Sequence, residues 1–259
     1  MIGKLGGWFF KVVENFLYAS GFFFSVLKET VRLKGRNKVG YRVLVMQILF
    51  TGVNALSIIS LISLAIGAVI LIQGSILLPQ FGQSDLLYTL LITIIVKELG
   101  PILTAFIIMA RSGVAIATEL GTMVVNHEIE AYISTGINPI SYLIVPRFLG
   151  VTISVIILNV YFSALGLGGS YLFARLLAPI SANEYFGKLL GNLQAMDIGI
   201  SLLKSLIFGV VIAITASYNG FKVTQASTEV PIVVIKAVGQ GFVLLIITNI
   251  LITLIGLLS

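Results

Sequence analysis

Five long stretches with few or no charged side chains constrain the fold of this sequence more than any other feature. Residues 43–84 contain no Asp, Glu, Lys or Arg, and four further stretches are almost as apolar. A helix of about 20 apolar residues crosses the hydrocarbon core of a bilayer and satisfies its own backbone hydrogen bonds there. The sequence therefore predicts five transmembrane helices, over residues 48–74, 86–110, 148–174, 201–219 and 239–258.

The composition agrees with a membrane protein. Of the 259 residues, 58% are hydrophobic and only 10% are charged, whereas a soluble domain carries about 25% charged residues. So few charges leave too little polar surface to coat a water-soluble globule. We predict an all-α integral membrane protein that forms a single domain over residues 1–259. The sequence contains no cysteine, so disulfides and thiol ligands are excluded.

The distribution of Lys and Arg predicts the orientation in the membrane. If the N-terminus is cytoplasmic, segments 1–47, 111–147 and 220–238 lie inside and hold twelve of the sixteen basic residues. The outer segments then hold only Arg175 and Lys188. Because cytoplasmic loops are enriched in Lys and Arg, we expect a cytoplasmic N-terminus and a C-terminus on the opposite, periplasmic side.

The N-terminal segment, residues 1–40, leaves two interpretations open. Between residues 8 and 27 it is rich in aromatic side chains and is interrupted by Lys11, Glu14 and Gly21. Such a mixture is typical of an amphipathic helix that lies in the headgroup plane. The alternative is a sixth span.

Two charged residues, Lys97 and Glu98, fall in the middle of the second predicted span and are followed by Gly100 and Pro101. Ionisable residues inside a membrane are costly and usually face a cavity or a charged partner. Pro101 has no N–H, which frees the Lys97 carbonyl and predicts a break in the helix. Charge beside a helix break is typical of a substrate site. The alternative is an ion pair with another helix or with a second subunit.

The segment 119–136, between the second and third spans, predicts a helix on the cytoplasmic face that ends at Gly136. Its acidic residues are Glu119, Glu128 and Glu130, and the run from Glu130 to Gly136 approximates the EAA-x-x-x-G pattern with which ABC importer permeases dock on their ATPase. An ordinary surface helix is the alternative. His127, the single histidine, has no partner for zinc binding or catalysis, and we expect no metal or cofactor.

Other patterns narrow the function. The sequence has no G-x-x-x-x-G-K-[ST] nucleotide-binding loop and no hydrolase motif, so an enzyme that uses ATP or hydrolyses substrate is not indicated. The net charge of +6 does not indicate nucleic-acid binding, because half of the basic residues precede residue 43 as a flank for anionic lipid. Lys204 lies near the outer end of the fourth span, where we expect its amine to reach the headgroups.

Three functions other than ATP-driven transport stay open. An ion-coupled secondary transporter or channel would use Lys97 and Glu98 as a relay. A lipid-modifying enzyme would use Glu98 or His127 as a base, and a scaffold would recruit a soluble partner through residues 119–136.

Residues 97–150 carry a family resemblance. They read KELGPILTAFIIMARSGVAIATELGTMVVNHEIEAYISTGINPISYLIVPRFLG, which resembles the MlaE/YrbE permease family in its ELGP, its A-R-x-G-x-A-x-A-x-ELGTM block and its NP-x-x-YL-x-x-PR. The run Leu71-Ile72-Gln73-Gly74 resembles the L-Q-G of the same family. The sequence departs from it at His127-Glu128, where Glu-Gln is frequent, and at Lys97, where Arg is common; Lys lacks the bidentate phosphate contact of Arg.

The resemblance implies a permease subunit of an ABC transporter in the bacterial inner membrane, with an N-terminal interfacial helix, five spanning helices and a cytoplasmic coupling helix. It implies a second permease copy, two ATPase subunits and a lipid-binding MCE-domain protein as partners, with phospholipid passing between the membrane and that periplasmic carrier. Phospholipid would occupy a cavity at the dimer interface, beside Lys97 and Glu98 and lined by Ile70, Leu78 and Phe81. The residues implied for coupling to the ATPase are Glu119, His127, Glu128, Glu130 and Gly136.

Overall fold

A computed structural model describes residues 18, 20–32, 38–81, 86–177, 181–224 and 226–258 of the chain. This part of the chain consists of helices joined by short turns, and none of these residues lies in a β-strand. The predicted all-α architecture is therefore confirmed.

Eleven α-helices are present in the described part, the first over residues 20–32 (α1). The others are α2 (Lys38–Gly52), α3 (Leu56–Leu77), α4 (Leu86–Leu91), α5 (Gly100–Ile108), α6 (Val114–Val125), α7 (Glu128–Ser134), α8 (Val145–Leu177), α9 (Ala182–Asn192), α10 (Ala195–Gly220) and α11 (Glu229–Leu258). Short 3₁₀ turns follow α2 and α3, and π-helical segments cover Ile92–Leu99, Met109–Gly113 and Ile140–Ile144.

Joined end to end, these helices form, within the described residues, five that are long and apolar enough to cross a membrane, as predicted for residues 48–258. They cover Arg42–Gln80, Leu86–Val125, Ile140–Leu176, Ala195–Gly220 and Glu229–Gly256. They extend beyond most of the ends predicted from charge, because a helix can continue past the first charged residue into the headgroup region.

The second span differs most from its prediction. Its backbone stays helical from Leu86 to Val125, so Gly100 and Pro101 do not break the helix. They begin α5 directly after a π-helical segment, and Pro101 lies in the first turn, where a missing N–H is tolerated.

The helix predicted over residues 119–136 is also divided in two. Residues 119–125 belong to α6, the end of the second span, and only α7 stands apart from it. The division falls at His127, which has a positive φ of 58° that no helix can include. Glycine does end the second piece, as predicted, at Gly136 with φ 77°.

The third span is the most enclosed of the five, and the first and fifth are the least enclosed. Its helix α8 packs against α2, α3, α5 and α10. Small residues allow the close approach to α3: the Ser63 hydroxyl donates to the Phe162 carbonyl at 2.6 Å, and a Cβ on Gly67 would overlap the Gly166 carbonyl. Small and hydroxyl residues are what membrane helices use at such contacts.

Helix α1 covers part of the ambiguous N-terminal segment. Its Phe22 packs against Tyr218 and Phe221 at the end of α10, with ring centroids 5.7 and 6.4 Å apart, and Val26 is buried. Residues 8–17 and 19 lie outside the described residues. The choice between an interfacial helix and a sixth span therefore stays a prediction.

Candidate functional site

Lys204 is the buried centre of a charged cluster that joins the second, fourth and fifth spans. Its side chain has 0% exposure, and its Nζ forms an ion pair with Glu98 Oε2 at 2.8 Å. The same Nζ donates to the Lys97 carbonyl at 2.9 Å and to Thr253 Oγ1 at 2.8 Å. All three hydrogens of the ammonium are thus satisfied. Our expectation that Lys204 reaches the headgroups is wrong, because the amine turns inward to its counter-charge.

Glu98 is held from one side and open on the other. Its Oε2 accepts from Lys204 at 2.8 Å and from Asn249 Nδ2 at 3.5 Å, and Thr253 Oγ1 lies 3.3 Å from each carboxylate oxygen. The Glu98 side chain still has 34% exposure. Among the described residues, Oε2 therefore has three donors within 3.5 Å, whereas Oε1 has one.

Lys97 forms a second ion pair with the same helix α10. Its Nζ lies 3.0 Å from Asp197 Oδ1, and the Lys97 side chain keeps 30% exposure. The Asp197 carboxylate is fixed by a capping box, because its Oδ2 accepts from the backbone N–H of Gln194 at 3.1 Å. Asp197 and Lys204 are seven residues apart, so they lie two turns apart on one face of α10.

The π-helical segment Ile92–Leu99 explains why adjacent residues both find partners on α10. A π-helix is wound more loosely than an α-helix and is often found at functional sites. The Lys97 carbonyl, whose α-helical donor would be the missing N–H of Pro101, accepts a hydrogen bond from Lys204 Nζ at 2.9 Å.

Gly100 brings this segment close to α8. A Cβ at Gly100 would lie 2.5 Å from the Ile95 carbonyl, 2.9 Å from Asn159 Oδ1 and 3.2 Å from Ser163 Oγ. Neither of those two buried side-chain oxygens has a hydrogen-bond partner among the described residues. The Cα–H of Gly100 therefore faces them, a weak contact that recurs between closely packed helices.

The residues expected to line a lipid cavity lie on the first span. Ile70 is half-buried against the core from α3, and Leu78 is half-buried in the 3₁₀ turn that follows. Phe81 ends that turn, and its side chain lies outside the described part. The first span touches the second beside this turn, where Leu87 packs on Gly74.

On the far side of the second span, Glu119 has a partner that the sequence did not indicate. Its carboxylate lies 2.7 Å from Arg147 Nη2 of α8, with 59% exposure for Glu119 and 8% for Arg147. Arg147 also donates to the Leu143 carbonyl at 2.8 Å. This pair joins the end of the second span to the start of the third.

Helix α7 lies between these two ends and has no buried residue. His127 Nδ1 lies 3.1 Å from Glu130 Oε2, and Glu128 accepts from Asn126 at 3.3 Å. At its C-terminus, Gly136 N–H donates to the Ile133 carbonyl and Ile137 N–H to the Tyr132 carbonyl, the Schellman pattern. The four predicted coupling residues from His127 to Gly136 are therefore together on one exposed unit, and Glu119 stands apart from them.

Asp197, Thr253 and the inward position of the Lys204 amine were not predicted from the sequence. The sequence does contain a hint of these pairs. The second span carries a cation followed by an anion, Lys97 and Glu98, and the fourth carries an anion followed two helical turns later by a cation, Asp197 and Lys204. In the described ranges, no three Asp, Glu or His residues come close enough together to hold a metal ion.

The chain is similar to known proteins over the region that contains the five spans. The sequence model of the family described as "Permease MlaE" matches residues 44–255. A probable ABC transporter permease protein of Rickettsia prowazekii is 28% identical over 210 residues, which cover 81% of each chain. The intermembrane phospholipid transport system permease protein MlaE of Haemophilus influenzae is 28% identical over 197 residues, 73% of this chain and 76% of that protein. The Arabidopsis thaliana chloroplastic protein trigalactosyldiacylglycerol 1 is 28% identical over 198 residues, 76% of this chain and 56% of its own length. The family match runs from the first span to the fifth, and this chain therefore belongs to the MlaE family of membrane permeases.

Proposed function

We propose that this chain is the permease subunit of an ABC transporter that moves phospholipid and takes its energy from a separate ATPase. The observation that carries the proposal is the partly exposed pair Lys97 and Glu98, held inside a spanning helix of an MlaE-family chain. The name of the Haemophilus influenzae relative, an intermembrane phospholipid transport system permease, supports phospholipid as the substrate.

The chemistry of the site suits a lipid. Lys97 and Glu98 offer polar contacts for a headgroup, and the buried Asp197 and Lys204 keep both side chains in place. The first span supplies apolar surface, including Ile70 and Leu78, on which acyl chains gain free energy as area is removed from water. Removing either exposed charge is expected to weaken headgroup binding without altering the acyl contacts.

Helix α7 is the surface that we assign to the ATPase. It has no buried residue, carries Glu128 and Glu130 in its first turn and presents the apolar side chain of Ile133 at 61% exposure. Glu128 and Glu130 leave negative charge on a solvent-facing unit that is anchored at both ends to spans. An ATPase dimer that closes would push on α7 and thereby move the second and third spans. The further partners are an MCE-domain lipid carrier and a second permease copy.

We place the protein in the bacterial inner membrane with a cytoplasmic N-terminus, which puts α7 inside and α9 outside. The absence of cysteine allows a direct test, because single cysteines can be introduced at the exposed Ser134 and Asn183. In intact spheroplasts, a membrane-impermeant maleimide should label Asn183→Cys and should label Ser134→Cys only after lysis. The reverse pattern would invert the orientation and remove α7 from the ATPase.

Transport is tested in proteoliposomes that contain the chain with and without its ATPase. We expect ATP-dependent transfer of fluorescent phospholipid to an acceptor carrier, and a loss of about tenfold in Lys97→Ala and Glu98→Ala, as for removal of a charged contact. Glu184→Gln is the matched control, because Glu184 forms an exposed ion pair with Lys188 on α9, away from the cluster.

Two outcomes would overturn the proposal. Equal transport by the wild type and both variants would remove the site. Substrate movement driven by an ion gradient in the absence of the ATPase would favour the secondary-transporter alternative, with Lys97 and Glu98 as a relay.

A further inference from the structure

The charged cluster of Lys97, Glu98, Asp197 and Lys204 has equal numbers of positive and negative side chains. It contains two cations and two carboxylates, and in each ion pair one member is buried and the other is partly exposed. The buried members, Asp197 and Lys204, have opposite signs, and so do the exposed ones, Lys97 and Glu98. A molecule that approaches this surface therefore meets one positive and one negative group, side by side on the same helix.

We propose that the site selects phospholipids with a zwitterionic headgroup, an ammonium beside a phosphodiester, over those with a net negative headgroup. This inference rests on the proposed function and narrows its substrate. The phosphodiester contacts the Lys97 amine, and the lipid ammonium contacts Glu98.

The positions of the donors around Glu98 fit an incoming ammonium. Lys204 and Asn249 both donate to Oε2, at 2.8 and 3.5 Å, whereas Oε1 has only the Thr253 hydroxyl at 3.3 Å. An ionised carboxylate accepts about four hydrogen bonds. Oε1 therefore retains acceptor capacity on a side chain with 34% exposure, and an ammonium is the headgroup donor that completes it with a charge-assisted bond.

A headgroup that carries only negative charge gains less from the same surface. It gains the attraction of Lys97, but Glu98 stands on the neighbouring residue and repels it, in a setting where charges are poorly screened. Nor is Lys97 easily freed, because Asp197 is held by its capping box with the Gln194 N–H. Neutralising Glu98 or Asp197 should therefore change the ratio of zwitterionic to anionic phospholipid bound more than it changes the total amount of phospholipid bound.

The test measures bound headgroups directly. The full-length chain is reconstituted in nanodiscs of equimolar phosphatidylethanolamine and phosphatidylglycerol, re-extracted, and its retained lipid is quantified by mass spectrometry. We expect the ratio of retained phosphatidylethanolamine to retained phosphatidylglycerol to be about threefold to fivefold above the ratio of one in the nanodisc, the effect of one partly exposed charge pair.

Three variants sharpen the measurement. Glu98→Gln removes the repulsion and should bring the ratio close to one. Asp197→Asn leaves Glu98 in place, frees Lys97 and should also shift the ratio toward phosphatidylglycerol. Glu184→Gln on α9 is the control and should leave the enrichment unchanged. If Glu98→Gln does not fold, Asp197→Asn alone still tests the proposal.

The outcomes separate the two levels of inference. If phospholipid is retained in the bulk ratio, or phosphatidylglycerol is enriched, the headgroup preference is wrong and the proposed function stands. If the wild type retains no phospholipid at all, the proposed function fails with it.

Discussion

Two ion pairs with the same design hold the second span at two levels, one within its first half and one near its C-terminal end. At the first level, Lys204 is buried and Glu98 is partly exposed; at the second, Arg147 is buried and Glu119 is mostly exposed. They differ in what surrounds the cation. Lys204 is enclosed by three spans and bonds to three acceptors, whereas the Arg147 pair joins two spans at a helix end. A buried cation thus fixes the span at each level, and the Lys204 cluster also presents a second exposed charge, Lys97, for a ligand.

The difference predicts that the Lys204 cluster is the more costly one to disrupt. Glu98→Ala leaves the amine of Lys204 buried without its counter-charge, and breaking a buried pair in this way costs about 3–5 kcal/mol. We expect this variant to lose more thermal stability in detergent than any other variant considered. Unfolding is followed with a fluorescent dye that binds apolar surface, since the chain has no cysteine for a thiol-reactive dye.

A double variant separates stability from function. Glu98→Gln with Lys204→Met removes both charges and should recover most of the lost stability, since neutral replacement of a buried pair is often tolerated. Lipid transport should not recover. Recovery of both would mean that Glu98 acts only as a structural partner.

A substitution at Gly100 disturbs the Lys204 cluster through the backbone, without removing a charge. Gly100→Ala places a Cβ within 2.9 Å of Asn159 Oδ1 and 2.5 Å of the Ile95 carbonyl, so α5 must move away from α8. Overpacking of this kind costs about 1–3 kcal/mol. We expect lower thermal stability together with reduced lipid retention, because Glu98 moves with the segment.

Gly168 provides the matched control on α8, since a Cβ there meets no atom within 4 Å. Gly168→Ala should be neutral or slightly stabilising. A loss of stability equal to that of Gly100→Ala would show that close approach at Gly100 is not what matters.

The Arg147 pair should respond less. Glu119→Ala leaves Arg147 with the Leu143 carbonyl, and the carboxylate that is lost was mostly exposed, so the cost is about 1–2 kcal/mol. We also expect ATP hydrolysis to be less tightly coupled to transport. The assembled transporter should continue to hydrolyse ATP, but the amount of lipid transported per ATP hydrolysed should fall. A stability loss as large as that of Glu98→Ala would remove the distinction between the two levels.

The sequence was sufficient for the five spans, because apolar length determines whether a helix can cross a bilayer. The sequence also placed Lys97 and Glu98 inside the second span, and it indicated that Pro101 removes the α-helical donor of the Lys97 carbonyl. It could not pair them, since the partners Asp197 and Lys204 are about a hundred residues away and hydropathy carries no information on which helices meet. Lys204 shows the limit most clearly: a lysine near a span end usually extends to the headgroups, and only the packed structure reveals that Glu98 lies closer. The π-helical winding of Ile92–Leu99 leaves no sequence signature of comparable strength.

The smallest effect is expected at α7, which contains no residue of either ion pair. Gly136 has φ 77° and open space around its Cα, so Gly136→Ala strains only the backbone and costs about 1 kcal/mol. Because that residue forms the Schellman cap of α7, the strain should fray this helix while the spans stay intact. We therefore expect unchanged thermal stability of the permease alone but weaker binding of the ATPase, measured by co-purification against Gly187→Ala, a helical glycine on α9 with equally open space. If Gly136→Ala binds the ATPase as well as that control, α7 is not the docking element, and the mechanical link from the ATPase to the Arg147 end of the second span must run through another segment.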